Sequence, residues 1–321
     1  MKLQNITYFV LLFVCISCTT NRRETQAMAS FPIDTLLIAE KVTIAEVISP
    51  NFMTLKEDVL FIANGSKDTL LYQYVLPQFE CIYKGGHIGS GPDEFTIFPS
   101  FCQTLTDDIF IWGYTPNTIR RFRLDNDKQL AFEQEYKLAR NEIMNQMHVV
   151  DDSMLVYNDN NFNLALKKID LKTGKMVATL DLGKEDHPDA FFYKNRGYMA
   201  ANDQYIVYVY VYKKQIDVYR ASDFSLYKRI VDDSAPSRVV IGHQKECTSY
   251  YGMPFAGRDC FYTLCEDGKE TVLEVFDYEG HAIAKYHFDI VPYTYVVDEK
   301  QNMLYGYNYK QEDYLLKFKM K

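Results

Sequence analysis

At 321 residues with a formal net charge of -8, the chain is too acidic to act through clustered Lys and Arg on nucleic acid, and at 47% hydrophobic it is too apolar to be disordered. Its 26 Tyr and 21 Phe favour strands, and the length suits either two ordinary domains or one large all-β domain. Removing the first 17 residues takes away one Lys and leaves 34 basic against 43 acidic side chains, so the sign of the charge holds.

In chain order, residues 1–17 read as a secretory signal: Lys2 gives a positive start, Tyr8 to Ile16 (YFVLLFVCI) an apolar core, and Ser17 a small residue. Nine apolar residues are too few to cross roughly 30 Å of hydrocarbon as a helix. Cys15-Ile16-Ser17-Cys18 resembles the bacterial lipobox, with Cys15 where Leu is usual. That resemblance implies a lipoprotein whose mature chain begins at an acylated Cys18, anchored to the membrane by several acyl chains. Residues 18–30 then read as a flexible tether, and 31–321 as the folded domain.

Within that domain apolar residues recur with period two and turn residues interrupt every 8 to 12 positions, which predicts strands throughout. The clearest is Gln204 to Tyr212 (QYIVYVYVY), with Val207, Val209 and Val211 on one face and Tyr208, Tyr210 and Tyr212 on the other. A longer period lies above this one. Six units of turn, strand, polar turn and strand start near Asp58, Asp108, Asp152, Asp203, Asp259 and Gln301, spaced by about 42 to 56 residues. That is the length of a four-stranded propeller blade, so the sequence predicts an all-β, six-bladed β-propeller. The last unit ends on Tyr314 to Met320 with no residues left for an outer strand, and Thr35 to Ile48 is strand-like, so the N-terminal strand is expected to close the last blade.

Gly85 to Phe95 (GGHIGSGPDEF) falls between the outer strand of the first blade, Gln78 to Tyr83, and the expected inner strand of the second, Phe98 to Leu105. No helix follows the glycines, so a phosphate-binding loop is not expected. The lipobox, the six divergent blades and this loop together resemble the TolB-like six-bladed propeller lipoproteins of Gram-negative bacteria. The matching positions are Gly89, Gly91, Pro92, Glu94 and Phe95. The resemblance implies a lipid-anchored protein of the cell envelope, at the periplasmic face or the outer membrane, and little chemistry.

No metal centre or resident cofactor is expected: His281 and His287 share a strand but lie roughly 20 Å apart. Calcium stays open, because carbonyls and scattered carboxylates can meet in a channel without a motif. Cys260 and Cys265 are five apart on one strand and point to opposite faces, so they read as buried apolar cysteines. No nucleophilic-serine signature is present.

Loops that gather at a channel mouth make His87, Glu94, Arg196, Tyr198, Tyr250 and Tyr251 the candidate binding residues. Each has an ordinary alternative: Arg196 paired with a loop carboxylate, the tyrosines packed between blades. Two readings follow. One is a monomeric binding module for a protein or glycan, with no catalytic residue. The other is a cation-dependent glycan hydrolase or lyase with its site in the central channel.

Overall fold

A computed structural model describes residues 24–321 apart from 47, 66–68, 92, 140–143, 160–162, 184, 187 and 188; the signal segment, Cys18 and Pro92 lie outside the described residues. The chain opens with three short strands, β1 (Glu24–Ala27), β2 (Ile33–Leu37) and β3 (Glu40–Thr43). Blade 1 follows as β4 (Pro50–Lys56), β5 (Val59–Asn64), β6 (Leu71–Val75) and β7 (Glu80–Gly85). Blade 2 is β8 (Ser100–Cys102), β9 (Ile109–Trp112), β10 (Thr118–Leu124) and β11 (Leu130–Lys137), and blade 3 is β12 (Asn145–Val149), β13 (Met154–Asp159), β14 (Ala165–Asp170) and β15 (Lys175–Asp181). Blade 4 comprises β16 (Gly197–Ala201), β17 (Tyr205–Tyr210), β18 (Gln215–Arg220) and β19 (Leu226–Val231). Blade 5 comprises β20 (Tyr251–Ala256), β21 (Cys260–Asp267), β22 (Glu270–Asp277) and β23 (Ala282–Phe288), and blade 6 has β24 (Thr294–Asp298), β25 (Met303–Tyr307) and β26 (Tyr314–Lys319).

The fold is a six-bladed β-propeller, as the spacing predicts. All six anchor residues of the sequence repeat sit in the turn that leads from the inner strand of a blade into its second strand. Two short 3-10 turns are the only helical elements among the described residues, and neither is long and apolar enough to cross a membrane.

The N-terminal segment does more than close the ring. β3 pairs antiparallel with β26, Lys41 opposite Leu316, and supplies the outer strand of blade 6. Thr35 to Leu37, grouped with that closing strand in the sequence reading, instead belongs to β2, which runs parallel to β23 as a fifth strand of blade 5. β1 lies within the stretch read as tether and runs parallel to β19 as a fifth strand of blade 4. A parallel strand laid on an exposed blade edge satisfies one row of its backbone groups. ETQA carries no apolar alternation, so nothing in its side chains announces a strand.

Adjacent blades pack face to face, and each strand divides its side chains between two interfaces. Tyr208 and Tyr210 of β17 join Val156, Leu164 and Leu166 of blade 3, while Val207 and Val209 join Phe261, Val272 and Phe276 of blade 5. Each such burial stabilises by about 1.5–3 kcal/mol. The same alternation sends Cys260 and Cys265 of β21 into different clusters as unpaired thiols, and burial raises the Cys260 thiol to about 11.

Several charged side chains are buried within this framework, and Asp217 is among the most enclosed of them. Asp217 of β18 is fully enclosed and accepts hydrogen bonds from Tyr210 (2.9 Å), Tyr219 (3.1 Å), Gln215 (3.0 Å) and both Nε (2.7 Å) and a terminal nitrogen (2.6 Å) of Arg229. A buried carboxylate is tolerated when its lone pairs are filled in this way.

Candidate functional site

The inner strands β4, β8, β12, β16, β20 and β24 surround the ring axis. An inner strand enters from the crossover that leaves the previous blade and exits through a hairpin to its own second strand, so the channel has a crossover end and a hairpin end. Along it runs a cavity of about 500 Å³ lined from all six blades. Asn51, Phe52, Met253 and Tyr293 line the crossover end; Thr104, Asp107, Arg258, Asp259, Glu299 and Lys300 line the hairpin end.

Polar residues between these ends stitch neighbouring blades together. Gln103, just past β8, donates to the Met53 carbonyl (3.0 Å) and accepts from the Thr54 hydroxyl (3.0 Å), joining blade 2 to blade 1. Its own backbone pairs with blade 3, donating to Met147 and accepting from Val149, both at 2.8 Å. Gln146 accepts from the Met199 N–H (2.9 Å) and His148 Nδ1 from the Ala201 N–H (3.2 Å), joining blade 3 to blade 4. Burial lowers the His148 imidazole to about 4, so it is neutral and can accept there.

At the hairpin end the Lys56 ammonium donates to the carbonyls of Thr104 (2.5 Å) and Thr106 (2.6 Å). Burial lowers its pKa to about 8, opposed by the nearby Asp107 and Asp108 carboxylates. Two carbonyls at the channel wall are thus already held by a cation of the chain itself. Across the mouth, Glu299 accepts from the Arg258 N–H (2.6 Å) and the Tyr262 hydroxyl (3.3 Å), and burial raises its carboxyl against the effect of those bonds.

The residues singled out from sequence all lie at the crossover end of the ring, and none lines the cavity. His87 and Glu94 belong to the crossover from blade 1 to blade 2. There Glu94 turns inward: its carboxylate accepts from the Gly91 N–H at 2.7 Å. A methyl group on Gly89 would sit 2.0 Å from the same carboxylate oxygen, so glycine is needed for that close approach. Phe95 is buried and packs 4.3 Å from the Tyr114 ring, with the Arg120 guanidinium 3.9 Å over the other aromatic. Within this turn the Phe95 N–H donates to the His87 carbonyl (2.9 Å) and the Gly89 N–H to the Phe95 carbonyl (2.9 Å). Glu94 therefore holds the turn.

Arg196, Tyr198, Tyr250 and Tyr251 are brought together where blades 4 and 5 meet. The Tyr250 N–H donates to the Val211 carbonyl (2.8 Å), and the Val211 N–H to the Arg196 carbonyl (2.9 Å). The Arg196 guanidinium lies 4.5 Å from the Phe191 ring centroid, covering an aromatic face where a carboxylate was the expected alternative. Tyr251 is buried with its hydroxyl on Glu274 (3.2 Å), Tyr250 is buried with its hydroxyl on the Pro236 carbonyl (2.5 Å), and Tyr198 is half-buried against the same cluster. These two tyrosines pack between blades.

Only His287 lies on β23; His281 comes just before it, and the two serve separate carboxylates: His281 meets Asp277 (2.8 Å), and His287 sits between Asp34 of β2 (2.8 Å) and Glu270 (3.2 Å). Burial works against the charged form of His287, but Glu270 and Asp34 outweigh it and raise its pKa. Among the described residues no group of three or more His, Cys, Asp or Glu side chains is arranged to hold a metal ion.

What sequence reading missed is the channel wall. Gln103, Gln146 and His148 are polar residues at or beside the inner strands β8 and β12, and on β12 they stand with Asn145, so polarity in the sequence does not mark which of them faces the axis.

No protein-family model matches the chain, and no curated protein sequence is similar to it. Solved structures are similar in fold. A Bacteroides fragilis protein provisionally described as exported superposes with a TM-score of 0.60 at 11% identity, covering 92% of this chain and 98% of that one. The WD40 repeats of RRP9 give 0.51 at 9% identity over 88% and 97% of the two chains, and the Pan2 WD40 domain of Neurospora crassa gives 0.50 at 9% over 85% and 90%. At these identities the likeness is one of fold alone.

Proposed function

We propose that this chain is an extracytoplasmic binding module, a lipoprotein of the Gram-negative cell envelope anchored through Cys18, whose ligand enters the central channel. The observation that carries the binding reading is the cavity built jointly by all six blades, lined by both apolar and polar residues. Support for the location comes from the signal and lipobox pattern of residues 1–18 and from the fold shared with an exported-type Bacteroides protein. The TolB-like resemblance rests on Gly89, Gly91, Glu94 and Phe95 with Pro92, and it points the same way.

The alternative, a cation-dependent hydrolase or lyase, would draw on Asp107, Asp259 and Glu299 at the hairpin end. Glu299 already serves Arg258 and Tyr262, and the carbonyls of Thr104 and Thr106 already serve Lys56. Binding is the better supported reading.

The test is recovery of partners from solubilised envelope with the native protein and with Met253→Trp, which adds bulk at a half-open position of the cavity wall. Recovery should fall while the melting curve is kept; equal recovery by both would overturn a channel site. An acyl-modified Cys18 in the native protein is the matching result for the anchor, and an intact residue 1–17 segment would remove it.

A further inference from the structure

The tyrosines of this chain are of two kinds. Many are buried or half-buried with the hydroxyl committed: Tyr278 to the Gly257 carbonyl (2.8 Å), Tyr295 to that of Met253 (3.0 Å), Tyr307 to that of Ile48 (3.0 Å). Tyr293 and Tyr309 are the opposite. They are 43% and 56% exposed, yet their rings stack at 5.0 Å with 26° between planes. Neither hydroxyl has a hydrogen-bond partner among the described residues. Tyr293 immediately precedes β24 and lines the channel at its crossover end; Tyr309 reaches it from the turn between β25 and β26, with the Lys310 ammonium 5.8 Å from its ring centroid.

Resting on the binding-module reading above, we propose that the Tyr293–Tyr309 stack is the platform on which a neutral glycan docks one sugar ring at the crossover mouth of the channel. The stack is continuous with the cavity, since Tyr293 belongs to both. The face of a pyranose ring presents C–H groups to an aromatic surface while its hydroxyls project from the edge, and tyrosine offers a flat apolar body with a polar tip. The two free phenol hydroxyls offer such hydroxyls donors and acceptors, and Asn51 adds an amide to the lining of the same cavity.

Charge selects among ligands. Asn51, Phe52, Met253 and Thr294, which line the cavity with Tyr293, carry none, and the charged groups Asp107, Arg258, Asp259 and Lys300 are gathered at the opposite end; Lys310, 5.8 Å from the Tyr309 ring centroid, is a cation at the platform itself. The cavity-lining part of this surface suits an uncharged amphipathic ligand, to whose hydroxyls Lys310 can donate. A cavity of about 500 Å³ lies within the usual range for small-molecule sites, so the sugar chain can continue beyond the platform into the channel.

The experiment is titration of the purified mature protein with neutral gluco-, manno-, xylo- and N-acetylglucosamine oligomers, read by calorimetry and saturation-transfer NMR. At least one series should bind, and Tyr293→Ala and Tyr309→Ala should each weaken it by about tenfold or more. Tyr293→Phe, which keeps the stack, should lose only a few-fold, and Tyr83→Ala on the outer strand of blade 1 should lose nothing. Melting curves of the variants check that they are folded, and Tyr293→Phe keeps the test open if an alanine variant is not. Binding by no oligomer, or alanine variants that bind like the parent, would overturn the proposal. If Met253→Trp still abolishes partner recovery while no oligomer binds, the channel reading stands and the sugar is wrong; if the tyrosine variants also lose a protein partner, the platform serves a protein.

Discussion

Blades 1 to 3 and blades 4 to 6 are built by different means. Each of the first three is four strands of continuous chain, whereas each of the last three borrows a strand from residues 24–43. The first half is therefore a series of local units, and the second is a set of local units bound by a girdle. The outer strand of blade 3, β15, ends in exposed Lys175 and Asp181 with Thr179 and an exposed Val177 between them; where edges of blades 4 and 5 would face solvent, a fifth strand lies over them. Stability in the second half should depend on residues remote in sequence, and in the first half it should not.

The largest test of that contrast is deletion of residues 31–48, which removes β2, β3 and the buried side chains of Leu37, Ile44 and Ile48. The expected loss is about 5 kcal/mol or more, and the melting transition should broaden or vanish. A truncated chain that melts as hot and as sharply as the whole would remove the girdle's role.

Next in size is Asp217→Ala in blade 4. It strands the Arg229 guanidinium and two tyrosine hydroxyls, at an expected cost of roughly 3–5 kcal/mol by urea unfolding. Asp108→Ala is its counterpart in blade 2, where Arg121 (2.9 Å) and Arg123 (2.8 Å) share the carboxylate. The Arg123 side chain is 55% exposed and can return to water, so the cost there should be smaller. Equal costs would mean that solvent access does not separate the two clusters.

His148 lies at the seam between the halves, and its effect depends on pH. Its folded pKa of about 4 is below the unfolded value, so the unfolded chain takes up the proton first as pH falls. The stabilisation is complete above about pH 6.5 and is lost as pH drops toward 4, a change on the order of 3 kcal/mol. His148→Gln should flatten that part of the stability profile relative to the parent; parallel profiles would show that the imidazole is not held neutral.

The smallest effect expected is that of Glu94→Ala, about 1 kcal/mol from the lost bond to the Gly91 N–H. Hydrogen exchange should quicken in the crossover from blade 1 to blade 2 and stay unchanged around the channel. A loss of ligand binding per folded molecule would instead give Glu94 a direct part in recognition.

The repeat was legible because each blade must place a turn, a buried strand and a second buried strand within one length, and that requirement survives when individual residues diverge. The crossover loop was legible for a related reason: Gly89, Gly91 and Glu94 meet within a few residues, so the constraint is local. The channel was not legible. Thr54, Gln103, His148 and Tyr293 lie on four different blades, and in each the neighbouring residues are a mixture of polar and apolar types that singles out none of them. Only ring closure makes them neighbours. β1 escaped for the opposite cause: its strand exists because β19 offers an edge, while the side chains of ETQA contribute no pattern.

The girdle also sets an order of events. Glu40 and Lys317, joined across β3 and β26, are 277 residues apart, and bringing ends so distant together costs roughly 5 kcal/mol of chain entropy before any contact repays it. The strands made first during synthesis have to wait for partners made last. Until β26 has emerged, the closing strand has no edge to occupy, so the ring cannot close before the last blade is made.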